Sequence, residues 1–92
     1  MRDAVSIRVV PGERPETFWL WAEVYAAGPG WVAVVSYALA GGAGGRPTGW
    51  REGLAVGLRP PGVYGVRSDR PDGAVGPPRV RVRSPSGSWH TG

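Results

Sequence analysis

The sequence has no cysteine, lysine, asparagine or glutamine, and it has a single histidine. Without cysteine, neither a disulfide nor a thiolate metal site can hold a small fold together. The histidine, His90, stands close to the end of the chain, where we expect no fixed neighbour to orient it as a base. The seven acidic residues are scattered and form no cluster with metal-ligand spacing. The sequence therefore predicts no catalytic, metal or cofactor site.

Long apolar segments are missing as well. The longest runs from Trp31 to Ala40, is interrupted by Ser36, and is far shorter than the roughly 20 residues of a membrane-spanning helix. Residues 1–4 lack the apolar stretch of a secretory signal. These features predict no membrane segment and no cleaved signal, and they leave the cellular location open.

Glycine and proline are abundant, at 16 and 10 of the 92 residues, and they divide the sequence into short segments. Within these segments β-branched and aromatic residues dominate, and apolar positions often alternate with polar ones. We predict an all-β fold, a small two-sheet sandwich of about six to seven strands. One domain should span residues 1–83, and residues 84–92 should form a flexible tail.

The strand predicted at 17–26 has apolar residues on both faces, and Trp19, Trp21 and Tyr25 share one of them. Only one face of each strand belongs to the core of a sandwich. We expect this strand to form a hairpin with the next one, which adds Val32 and Val34. The five residues then predict an exposed strip for a protein interface. Cover by another part of the chain and the stacking of sugar rings on the aromatic residues are the alternatives.

Arg79, Arg81 and Arg83 alternate with valines and therefore share one face of what the sequence predicts to be the last strand. Charges on an exposed edge strand discourage aggregation, and this is the simplest explanation. The functional alternative is contact with an acidic partner. We favour a protein over nucleic acid because no aromatic residue interleaves with the arginines along the strand.

Leu58, Pro60 and Tyr64 have the spacing Leu-x-Pro-x-x-x-Tyr. This motif resembles the tyrosine corner of fibronectin type III domains, in which the tyrosine hydrogen-bonds to nearby backbone. Segments 64–68 and 79–83 are similar to the final hairpin of that family. The resemblance implies an immunoglobulin-like sandwich with a role in adhesion, spacing or recognition rather than catalysis.

Together these features predict a non-enzymatic structural or protein-interaction module that binds itself or a larger assembly. A short chain that starts at methionine, without an export signal or companion domain, suits a coat, decoration or tail component of an assembly such as a virus particle. A carbohydrate-binding module with an aromatic strip is the first alternative. An accessory subunit that binds an acidic partner through the three arginines is the second.

Overall fold

The computed structural model describes residues 5–9, 19–26, 28–41, 47–59 and 62–91. These residues form seven β-strands and no helix: β1 (Val5–Val9), β2 (Leu20–Ala26), β3 (Val32–Ala40), β4 (Pro47–Gly57), β5 (Gly62–Ser68), β6 (Ala74–Arg83) and β7 (Trp89–Thr91). A three-stranded sheet has the order β1-β2-β5, and a four-stranded sheet has the order β4-β3-β6-β7. All pairings are antiparallel. The predicted all-β, two-sheet sandwich is confirmed.

The core lies between the two sheets and is built largely from small aliphatic residues. Alternation along β2 turns every second residue inward, so that buried and half-buried positions follow one another through the strand. The four-stranded sheet contributes alternate residues of β3 and β6 to the same cluster. The central members are Leu20, Ala22, Val24, Ala33, Val35, Val66, Val80 and Val82.

The connection from β2 to β3 crosses between the sheets, so the predicted hairpin of these two strands is wrong. Both edges of β2 are occupied, one by β1 and the other by β5. β3 therefore pairs elsewhere, with β4 and β6. Gly30 in the connecting turn has a φ of 88°, which glycine adopts without strain. A β-carbon at Gly30 would also stand only 3.0 Å from Pro85.

The predicted final hairpin of segments 64–68 and 79–83 is also wrong, because β5 and β6 lie in different sheets. Tyr64 in β5 stands opposite Val24 of β2. β6 pairs with β3 on one side and with β7 on the other. The turn predicted between β5 and β6 does form, with Gly73 at a φ of 82°, but it carries the chain across the sandwich.

Beyond Arg83 the chain continues in the four-stranded sheet. A tight turn follows, in which the amide of Ser84 donates to the carbonyl of Ser88 at 2.8 Å. Strand β7 then pairs Trp89 with Arg83 and Thr91 with Arg81. The sheet thus includes residues of the segment 84–92 that was expected to form a flexible tail. β6 is consequently not the last strand, and its end is not an edge.

Candidate binding face of the four-stranded sheet

The aromatic residues predicted to share one outer face of β2 are divided between two faces. Trp21 and Tyr25 alternate with buried residues and point away from the core. Trp19 lies in a bend just before the strand, where the alternation no longer holds. Its ring packs against the core and meets Tyr37 edge-on, with the ring centroids 5.8 Å apart.

Val32 and Val34, the other members of the predicted strip, lie in the opposite sheet. Val34 pairs with Arg81 of β6 and is only 1% exposed. The structure therefore does not bring the five residues together. Trp21 and Tyr25 remain on the outer face of the three-stranded sheet, where both are half-buried. The six-membered ring of Trp21 lies over Gly65 of β5.

Arg79, Arg81 and Arg83 point outward from the four-stranded sheet, because the intervening Val80 and Val82 are buried in the core. Strand β6 has β3 on one side and, along Arg81 to Arg83, β7 on the other. Protection of an exposed edge therefore does not explain Arg81 and Arg83. The three arginines lie on the open face of an internal part of the sheet.

Tryptophan rings from the two outermost strands contact these arginines. The guanidinium carbon of Arg79 lies 4.2 Å from the ring centroid of Trp50 on β4, and that of Arg81 lies 4.1 Å from Trp89 on β7. Arg83 lies 5.8 Å from the same Trp89 ring. All three distances are within the range of cation–π interaction, about 6 Å. We call these five residues the arginine–tryptophan face.

Sequence reasoning missed Trp50 and Trp89. No aromatic residue interleaves with the arginines along β6 itself, and this remains true in the structure. The rings reach the arginines only because β4 and β7 belong to the same sheet. Knowledge of the strand order would have been needed to find them.

Arg79 crosses β3 to reach Trp50, because β3 lies between β6 and β4. In register, Arg79 stands opposite Ser36, and Trp50 stands opposite Ala38. Ser36 and Ala38 are 1% and 2% exposed, although they belong to the outer side of the sheet. The long side chains of this face therefore form a cover over small residues of β3, which is buried on both sides.

Several polar atoms under this cover lack partners. The hydroxyl of Ser36 and the Nε atoms of Arg79 and Arg81 are buried without a hydrogen bond in the described part of the chain. A buried unpaired group of this kind costs about 1–3 kcal/mol. In Arg79 and Arg81 the buried guanidinium nitrogen is the Nε. A ligand from solvent therefore reaches these two arginines at their terminal amino groups.

The charges of this face are not neutralised by the described residues. No acidic side chain there lies within ion-pair distance of Arg79, Arg81 or Arg83, and the ion pair of Arg8 with Glu23, at 3.5 Å, is on the other sheet. Glu52 stands opposite Ser36 on β4 and is exposed. The face therefore presents three cations and a single acid.

Two of the three residues of the predicted tyrosine corner are described, Leu58 just after β4 and Tyr64 within β5. Leu58 is buried and Tyr64 is half-buried, and both pack against the core. Pro60 lies outside the described residues. Within the described ranges the Tyr64 hydroxyl makes no hydrogen bond, so the resemblance to fibronectin type III domains stays a prediction.

Other kinds of site have little support in the part of the chain that is described. His90 stands in β7 beside Trp31, with ring centroids 5.4 Å apart. Over the described ranges, no group of three or more histidine or acidic side chains is placed to hold a metal ion. Nor do those ranges contain a helix long and apolar enough to cross a membrane.

Comparisons of this chain with protein-family models, with curated proteins and with solved structures found no significant match.

Proposed function

We propose that this protein is a non-enzymatic interaction module that binds an acidic protein partner through the arginine–tryptophan face. The observation that carries the proposal is the group of three arginines whose charges have no acidic partner among the described residues. The formal net charge of +4 has the same sign as the face, so the whole molecule favours the approach of an acidic partner.

The tryptophan contacts suit the arginines to this role. A guanidinium that stacks on an aromatic ring keeps its N–H groups available around the edge of its plane. Carboxylates accept two parallel hydrogen bonds from such an edge. Because Trp50 and Trp89 already restrict Arg79 and Arg81, less side-chain freedom is lost when a partner binds. Tryptophan and arginine are also the residue types that contribute most at protein interfaces.

A protein partner fits this face better than nucleic acid or carbohydrate. Bases and sugars bind by stacking on free aromatic rings. Here Trp89, which is 39% exposed, is contacted by two guanidinium groups and Trp50, which is 49% exposed, by one, so neither ring is free on both faces. The sugar-binding strip also loses Trp19, which packs inward. A fibronectin type III-like module of a larger assembly, such as a virus particle, remains the wider proposal, with this face as its contact.

The proposal can be tested with a fluorescein-labelled peptide of alternating glutamate and glycine, by fluorescence anisotropy at low and physiological salt. The variant Arg79→Gln/Arg81→Gln/Arg83→Gln should lose more than about tenfold in affinity, because three charge-assisted hydrogen bonds are removed. The matched control is Arg8→Gln/Arg51→Gln/Arg59→Gln, which lowers the net charge equally but leaves the face intact. It should lose less than about threefold.

Two outcomes would overturn the proposal. Equal loss of affinity in both triple variants would show that the peptide responds to net charge alone. Tighter binding of a single-stranded oligonucleotide of equal charge would assign the face to nucleic acid. The single variant Arg83→Gln guards against unfolding, because Arg83 is exposed and its ring contact is with Trp89 of β7, at 5.8 Å. It should keep the native circular dichroism spectrum and lose part of the affinity.

A further inference from the structure

We infer that the acidic partner contacts the arginine–tryptophan face at two separate points; this inference rests on the proposed function. The first point is Arg79 at Trp50, and the second is Arg81 with Arg83 at Trp89. Alternation along β6 alone would suggest a single straight row of three charges. The ring contacts indicate a different arrangement.

The side chains of Arg79 and Arg81 leave β6 in opposite directions. Arg79 extends over β3 toward the edge strand β4, whereas Arg81 extends toward the other edge strand, β7. Two strand spacings across the sheet and at least a two-residue rise along it place the two guanidinium groups on the order of 12 Å apart or more, since Trp50 is level with Ala38 and Trp89 is level with Arg83. In a straight row, neighbouring charges would be separated by only about 7 Å.

The second point carries two cations. Arg81 and Arg83 lie 4.1 and 5.8 Å from the centroid of one ring, that of Trp89. Like charges held this close repel each other, and a carboxylate between them relieves the repulsion. The single exposed acid of this face, Glu52, stands on β4 at the opposite edge of the sheet. The Trp89 point is therefore where an acidic group from a partner is needed most.

A partner that engages both points carries two acidic groups that can span at least about 12 Å. For a flexible segment the root-mean-square span is about 11 Å when the two groups are four residues apart. In a fully extended segment the same spacing reaches about 13 Å. The partner chemistry that we assign is therefore a protein segment with acidic residues at positions i and i+4, lying across the strands of the sheet.

The test uses glycine–serine peptides of one length, each with two glutamates, in competition with the labelled peptide described above. The glutamates are placed one, two, four or twelve residues apart, so that only the spacing differs. The four-residue spacing should bind at least about fivefold more tightly than the one-residue spacing, because the second contact becomes intramolecular. A straight row of charges would instead favour the two-residue spacing.

The variant Arg79→Gln provides the second arm of the test. It should abolish the advantage of the four-residue spacing and leave the affinity of the one-residue peptide unchanged, since that peptide occupies the Trp89 point. Equal affinity for all four spacings, with binding still lost in the triple arginine variant, would overturn the two-point arrangement but not the proposed function. Failure of the labelled peptide itself to bind would overturn both.

Discussion

The six-membered ring of Trp21 lies over the backbone of Gly65, so closely that a β-carbon on residue 65 would stand 2.8 Å from Cζ2 of the ring. Gly65 on β5 pairs with Glu23 of β2, and Trp21 lies two residues before Glu23 on the same face of the sheet. The Trp21 ring can therefore lie over Gly65. Trp21, one of the two outward-pointing aromatic residues of β2, is thus half-buried against its own sheet.

Gly65→Ala should destabilise the protein by about 1–3 kcal/mol, because the new methyl group displaces the Trp21 ring. The control is Gly49→Ala on β4, where nothing lies within 4 Å of the added β-carbon. Urea denaturation compares the two variants. In a Trp21→Ala background the change at Gly65 should cost less than about 0.5 kcal/mol. If Gly65→Ala cost as much stability in the Trp21→Ala background as in the native protein, contact between the new methyl group and the Trp21 ring would not be the cause.

Val34→Ala should destabilise the protein by about 1–2 kcal/mol, as a substitution in the core does. Val34 is on the outer side of its sheet, yet it is only 1% exposed under the arginine–tryptophan face. The control Val9→Ala alters a residue that is 44% exposed and should change stability by less than about 0.5 kcal/mol. Equal effects of the two changes in chemical denaturation would mean that the cover over β3 does not exist in solution.

Ser36→Ala and Ser84→Ala each remove one serine hydroxyl, and only the change at Ser84 should lower stability. The Ser36 hydroxyl is buried without a partner, so its removal should leave stability unchanged or raise it by up to about 1 kcal/mol. The Ser84 hydroxyl accepts a hydrogen bond from the amide of Ser88 at 3.0 Å. Its removal should cost about 0.5–1.5 kcal/mol. Thermal melting distinguishes the two, and a loss at both positions would argue for an unseen partner of Ser36.

Glu23→Gln should change stability by less than about 0.5 kcal/mol, because the ion pair between Arg8 and Glu23 is solvated. Its N···O distance is 3.5 Å, and the two side chains are 77% and 39% exposed. The comparison is made at low and at high salt. A larger effect that disappears with salt would show that the charges of this sheet interact more strongly than their exposure suggests.

Local sequence pattern predicted most of the strands, because alternation and turn residues act within a few positions. It placed Trp21 and Tyr25 together on one face of β2, and Arg79, Arg81 and Arg83 together on one face of β6. It failed for pairing, since a short turn such as 28–30 can lead either into a hairpin or across a sandwich. The choice depends on which strand edges are already occupied, and that is a property of the whole chain.

The candidate site was predictable only in part for the same reason. The arginines lie on one strand, so a period of two was sufficient to place them together. Trp50 and Trp89 come from strands on either side, and only the order β4-β3-β6-β7 brings them to the arginines. Trp19 was assigned to the wrong face because a bend interrupts the alternation just before Leu20.

The side chains that cover β3 are also the side chains proposed to bind the partner, so the same residues contribute to stability and to binding. A partner that draws Arg79 away from Trp50 also uncovers Ser36 and Ala38, so part of the binding energy is consumed in opening the sheet surface. Affinity therefore cannot be raised at Arg79 without altering stability. Sequence changes that strengthen binding should more readily succeed at Arg83, which is exposed and contacts the ring of Trp89 on β7 rather than that of Trp50 across β3.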